Sequence, residues 1–170
     1  AIVTSLVWKH HVEPPGGSLH RFKDRFIASV TWGNPARELG VAHGNAAAGW
    51  PVPEGRGITF DRLVDTPSWW FDYAHGANSA WGRDVYADVP DGPVGENMSA
   101  VWPIVASVKP MMLFKRLSEL ATDGDIADWG AVAAAVLYAG AFFIAKTPTE
   151  PHINYNIEPA VQYLRSAAGR

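Results

Sequence analysis

The sequence contains no cysteine, which excludes disulfides, thiolate metal ligands and a cysteine nucleophile. It has no run of Lys or Arg, and a formal net charge of −3 gives neither nucleic acid nor an anionic membrane an electrostatic partner. Glycine loops of the phosphate-binding or dinucleotide type are missing, so no nucleotide cofactor is expected. The residues present imply no metal or other cofactor. No basic segment followed by an apolar one opens the sequence given, so no signal peptide is read in it. The longest uncharged apolar run, Trp129 to Ala145, falls short of the roughly 20 residues of a membrane span. With Asp125 and Asp128 before it and Lys146 after it, it fits a buried or bundle-forming helix and no transmembrane segment is expected. Repeats and low-complexity tracts are absent. Finally, no serine has glycine two residues away on both sides, so the G-x-S-x-G elbow of a serine hydrolase is not in this sequence.

What is present is one domain's worth of chain, 170 residues at 48% apolar composition, enough for a sizeable core. The opening AIVTSLVWKHH places Ala1, Ile2, Val3, Leu6 and Val7 at helical spacing and predicts a helix over residues 1 to 12, stopped by Glu13-Pro14-Pro15-Gly16-Gly17. Nothing ahead of Ala1 caps it, so this helix reads as one whose beginning lies upstream. RFIASVTWGNP follows, with Phe26, Ile27, Val30 and Trp32 in a short strand that ends at Gly33-Asn34-Pro35. Its apolar character suits a strand covered on both faces in a parallel sheet. Residues Ala36 to Pro67 lose all periodicity and read as a long loop, an excursion beside an active site. Ser68 to Tyr73 is strongly β-prone, with AHGANSAWGRD as the loop after it.

Beyond Pro93 the pattern turns helical over Val94 to Val108, Pro110 to Leu120 and the alanine-rich stretch after Asp128. TPTEPHINYN interrupts it, and EPAVQYLRSAA predicts a terminal helix with Pro159 at an early position, where its missing N–H costs nothing.

Of the histidines, His10 and His11 suit a helix C-terminus, and adjacent helical residues diverge by too much to share a metal. His20 suits a loop cap, while His43 and His75 lie in glycine-rich loops where they line a pocket. His152, after Pro151 on a loop between helical segments, is placed where a general base belongs, and a structural histidine is the alternative. Asp84 and Asp88 in GRDVYADV follow a predicted strand and a glycine loop, where an aspartate accepts the Nδ1–H of a histidine or caps a helix. Asp72 in FDYAH equally caps the loop after its strand.

The segments LVWKHHVEPPGGSLHRF, VTWGNPAR, FDYAH, DVYAD and TEPHINYN…PAVQYLR, in this order, resemble the lysin B proteins of mycobacteriophages. Those proteins are cutinase-like α/β-hydrolases that act as mycolylarabinogalactan esterases. The resemblance implies an α/β fold corresponding to the C-terminal part of such a hydrolase, a parallel sheet flanked by helices. Residues 1–89 would belong to the core, 90–147 to a helical linker inserted between the triad acid and base, and 148–170 to the catalytic-histidine loop and terminal helix. Carried over by motif, the family's acid falls on Asp84, with Asp88 and Asp72 as competitors because GANSAWGR lengthens the preceding loop. The base falls on His152. The family's elbow runs into a helix like the one that opens this chain, so its serine and oxyanion hole would lie ahead of Ala1.

On this reading the chain is part of a serine esterase that hydrolyses a lipid ester of the mycobacterial envelope during host lysis. It acts outside the cytoplasm on the outer envelope, with Trp69, Trp70 and Trp81 as a surface for acyl chains. Its partners are the lipid ester and the N-terminal half that carries the serine, in cis or as a second chain. The alternative is a non-catalytic remnant or a module that binds lipid or envelope, inactive without the nucleophile.

Overall fold

A computed structural model describes residues 1–106 and 150–169. The helices expected over Pro110 to Leu120 and after Asp128, the run Trp129 to Ala145 and most of the insert expected over 90–147 lie outside the described residues. The chain divides into two compact units, Ala1–Val89 with Glu150–Arg170, and Pro90–Thr149. In the second, helix α3 (Pro93–Ala106) occupies the expected amphipathic stretch and carries Pro103 within it. Among the described residues no helix is long and apolar enough to cross a membrane.

The first unit begins with α1 (Ile2–Val7), which continues as five residues of π-helix, Trp8–Val12, before the prolines stop it. The wider turn is closed by the Glu13 N–H reaching the Trp8 carbonyl at 2.9 Å. The face expected to be buried is not the one that packs. Val3 is 71% exposed, whereas Ser5, Trp8 and Val12 are buried, because Ser5 bonds to Asn34 and the two apolar side chains enter an aromatic cluster.

Strand β1 (Ser29–Trp32) pairs in parallel with β2 (Trp70–Tyr73), in the register Ser29↔Trp70 to Trp32↔Tyr73. The predicted strands are therefore real and parallel, but β1 starts later than expected and leaves Phe26 and Ile27 outside it and exposed. At the N-terminal end of the pair, Trp8, Val12, Leu63 and Trp70 form a buried cluster, with Trp69 packed against it. The Trp8 ring meets Trp69 edge-on at 4.9 Å and lies 6.2 Å from Trp70.

The segment Ala36 to Pro67 is not simply an excursion. It contains a short helix, α2 (His43–Ala48), which lies close on β2: a Cβ at Gly44 would come within 2.7 Å of the Asp72 carbonyl oxygen. The rest is tied down by side chains. Arg37 is fully buried, and its guanidinium donates to the carbonyls of Ala87 (2.7 Å), Val41 (2.9 Å) and Gly55 (2.5 Å). Arg56 and Val89 exchange both backbone hydrogen bonds, and Glu38 accepts the N–H groups of Asp65 and Thr66. A segment held in this way satisfies its backbone without periodic structure, so no periodicity is written in its sequence.

The chain returns through a single turn, α4 (Glu150–Ile153), to the terminal helix α5 (Glu158–Ala168). Tyr163 of α5 stacks on Phe71 of β2 with ring centroids 3.6 Å apart and donates to the Trp69 carbonyl.

Candidate active site

The polar end of the sheet is its C-terminal end, where parallel α/β folds place their ligands. Beyond β1 the chain turns at Gly33, with φ at +54°. A Cβ there would sit 2.7 Å from Asp84 Oδ2 and 2.7 Å from Nδ1 and Cε1 of His152, so glycine is required both by the backbone and by the space.

Beyond β2, the Asp84 N–H donates to the His75 carbonyl at 2.8 Å, and the N–H groups of Ala87 and Asp88 reach back to the Asp84 carbonyl. Asp84 Oδ1 takes the Tyr86 N–H at 3.0 Å. This tight turn buries the carboxylate completely while aiming it at α4. His152 Nδ1 lies 2.9 Å from Asp84 Oδ2 and 3.1 Å from Oδ1. A carboxylate only accepts, so Nδ1–H is the donor and Nε2 is the basic nitrogen. The imidazole stays 28% exposed, and Tyr86 meets it edge-on at 4.9 Å. His152 sits on the helical turn α4, not on the loop expected for it.

Three aspartates competed for the histidine, and the fold gives each a different set of partners. Asp72 is buried beside Thr31, which donates to it, and Asn34, whose amide donates at 3.0 Å. Asn34 also donates to Ser5 Oγ at 2.9 Å, so one amide ties β2 to the first turn of α1. Asp88 accepts from Gly55 N–H (2.9 Å) and Ala77 N–H (3.3 Å) and pairs with Arg83 at 3.1 Å. Only Asp84, among the three, meets His152.

Burial sets the electrostatics around this cluster. It pushes the Asp72 carboxyl up, against the lowering effect of the Thr31 and Asn34 hydrogen bonds. It pushes Tyr86 up to about 12, helped by the Asp84 charge, and Tyr155 higher still for the same two reasons. Both phenols therefore remain protonated donors at neutral pH. Arg37 is pushed down by burial, against the charges of Asp72 and Asp88.

The remaining predicted residues separate. His10 pairs with Asp61 at 2.5 Å, His20 meets the Val12 carbonyl, and His43 meets the Thr66 carbonyl. His75 does line a cleft, of about 500 Å³, together with Trp50, Asn78, Trp81 and Asn156. Of the three tryptophans expected to meet acyl chains, Trp70 is 1% exposed inside the core and so forms no such surface, and Trp69 is partly buried against that core. Trp81 is 54% exposed and borders the cleft.

Sequence reasoning missed Gly33, Asn34, Arg37 and Tyr155. The first three stand together in VTWGNPAR, where a glycine and an asparagine before proline signal a turn but not what the turn touches. Tyr155 hides between two asparagines in a loop; its hydroxyl donates to Asp84 Oδ2 at 2.8 Å.

No family model matches the chain. It is 35% identical to the endolysin B proteins of Mycobacterium phages D29 and L5, over 97% of its own length and 66% of theirs. The crystal structure of lysin B from mycobacteriophage D29 superposes with a TM-score of 0.67 at 32% identity, over 96% of this chain and 66% of that one. The chain thus spans just under two thirds of the relatives it matches.

Proposed function

The chain belongs to the endolysin B family of the mycobacteriophages, and we propose that it is the acid- and base-bearing part of a serine esterase that cleaves a lipid ester of the mycobacterial envelope during host lysis. The observation that carries this reading is the 2.9 Å hydrogen bond from His152 Nδ1 to a buried Asp84 beside the C-terminal ends of parallel strands. Asp84 holds the imidazole in the Nδ1–H tautomer and stabilises the imidazolium; Nε2 takes the proton of an attacking serine and returns it to the leaving alcohol.

The serine, on this reading, lies on the residues that precede α1 in the complete protein. Two contacts favour that position. Asn34 grips Ser5 in the first turn of α1, and its neighbour Gly33 abuts His152 and Asp84, so the start of α1 and the histidine meet at one turn. The backbone N–H groups at the beginning of α1 would then lie near a developing oxyanion. Trp81 and Trp50 supply apolar walls to the adjacent cleft for the acyl chain, and mycolylarabinogalactan is the substrate. The protein acts outside the cytoplasm on the host's outer envelope.

The test is hydrolysis of a p-nitrophenyl ester by the full-length phage protein. His152→Ala and Asp84→Asn are each expected to lower kcat by about 10³- to 10⁴-fold. Undiminished turnover in His152→Ala removes the residue from the mechanism. Supplying the upstream half to this chain as a second polypeptide is expected to restore turnover, and a failure that persists in the covalently joined protein favours a non-catalytic envelope-binding module.

A further inference from the structure

We infer that Tyr155 is a positioning residue, whose hydroxyl and ring hold Asp84 and His152 in a single working geometry. The inference rests on the reading of that pair as the acid and base of an esterase. The Tyr155 hydroxyl donates to Asp84 Oδ2 at 2.8 Å and accepts the His75 N–H at 3.3 Å. Its ring lies flat on the His75 imidazole, with centroids 4.2 Å apart and planes 11° from parallel. His75 in turn donates from Nδ1 to the carbonyl of Pro151 at 2.7 Å, the residue immediately before His152.

These contacts form a closed circuit. Tyr155 holds the acid, His75 holds the backbone that carries the base, and the two rings hold each other. Without the phenol, Asp84 would keep one fixed donor at Oδ1, the Tyr86 N–H, while Oδ2 would have His152 alone to set its direction. A carboxylate oxygen shared between two donors has much less freedom to rotate, and the tautomer it imposes on the imidazole is correspondingly sharper. Burial and the Asp84 charge raise the phenol's pKa well above its usual value, so it stays a donor throughout the range in which His152 must work as a base.

The experiment uses Tyr155→Phe, which keeps the stacked ring and removes only the hydroxyl, in the full-length protein. Three quantities are read: steady-state p-nitrophenyl ester kinetics, the melting temperature, and the His152 tautomer from ¹⁵N chemical shifts of the labelled imidazole. The expected result is a loss of about 10- to 100-fold in kcat, an unchanged KM and melting temperature, and a gain of Nε2–H tautomer at His152. Tyr155→Leu, which also removes the stack, should scramble the tautomer further. Asp84→Asn serves as the reference. If it alters kcat and tautomer while Tyr155→Phe alters neither, the positioning role is overturned and the Asp84–His152 reading stands. If neither variant alters them, both are overturned. A loss of kcat that follows a lowered melting temperature, with the tautomer unmoved, makes Tyr155 a structural residue only and also overturns the inference.

Discussion

The two ends of the β1–β2 pair bury their residues by different physics. At the N-terminal end, Trp8, Val12, Leu63 and Trp70 exclude water by apolar contact, with the Trp8 and Trp70 rings packed together. At the C-terminal end, Thr31, Asn34, Asp72 and Asp84 are equally buried, yet each is held by directed hydrogen bonds from another part of the chain. Apolar burial is non-directional and supplies most of the driving force for folding. Buried polar groups add little net stability but cost much when a partner is lost, and they fix orientation. The first end should therefore govern stability and the second geometry.

Substitutions can break that contrast. The largest effect is expected from Trp70→Ala at the apolar end, a loss of about 3–5 kcal/mol from transfer and cavity terms together, measured by urea unfolding. The fraction that remains folded should keep the Nδ1–H tautomer of His152. Asn34→Ala, at the polar end, should cost about 1–3 kcal/mol because it leaves Asp72 and Ser5 short of a partner. A loss as large as that of Trp70→Ala would erase the proposed difference between the ends.

Gly33→Ala should cost about 1–2 kcal/mol for the left-handed backbone, but its principal effect is on geometry. A methyl group at that position lies within 2.7 Å of both Asp84 and His152, so the pair is expected to separate and His152 to lose its tautomer preference in ¹⁵N spectra.

The smallest effect is pH-dependent. Burial raises the Asp72 carboxyl above its ordinary value of 3.8, so the folded state binds this proton more tightly than the unfolded chain. Its contribution is most favourable below that ordinary value and diminishes as pH rises through the raised one. Relative to Asp72→Asn, the parent should therefore lose stability on going from acid to neutral pH, by at most about 1.4 kcal/mol per pH unit. Melting curves of the two proteins across that range measure it, and a constant difference would show that Asp72 does not titrate between them.

Parts of this arrangement are legible without coordinates. The prolines after Glu13 end the first helix, β-prone runs mark β1 and β2, and Pro159 marks the start of α5, because local sterics and side-chain branching act within a few residues. The segment from Ala36 to Pro67 could not be read, since its order comes from Arg37, Glu38 and the bridge at Arg56, whose partners lie as far away as Val89. The buried face of α1 was misread for a related reason. Hydrophobic spacing points to Val3, but the hydroxyl of Ser5 finds its partner in Asn34, twenty-nine residues on.

The sequence by itself determined the kinds of element present, their order and the residue types available for chemistry, because periodicity, proline and glycine act over short range. It put Asp84 first by motif but left Asp88 and Asp72 as competitors, since any carboxylate can accept from a histidine. Only the tertiary structure chose among them. Parallel pairing of β1 and β2 sets Thr31 and Asn34 on Asp72, the buried Arg37 and the Gly55 amide engage the segment around Asp88, and α4 sets His152 on Asp84. Orientation at a buried polar site depends on donors that arrive from distant parts of the chain, and no local pattern records where they will meet.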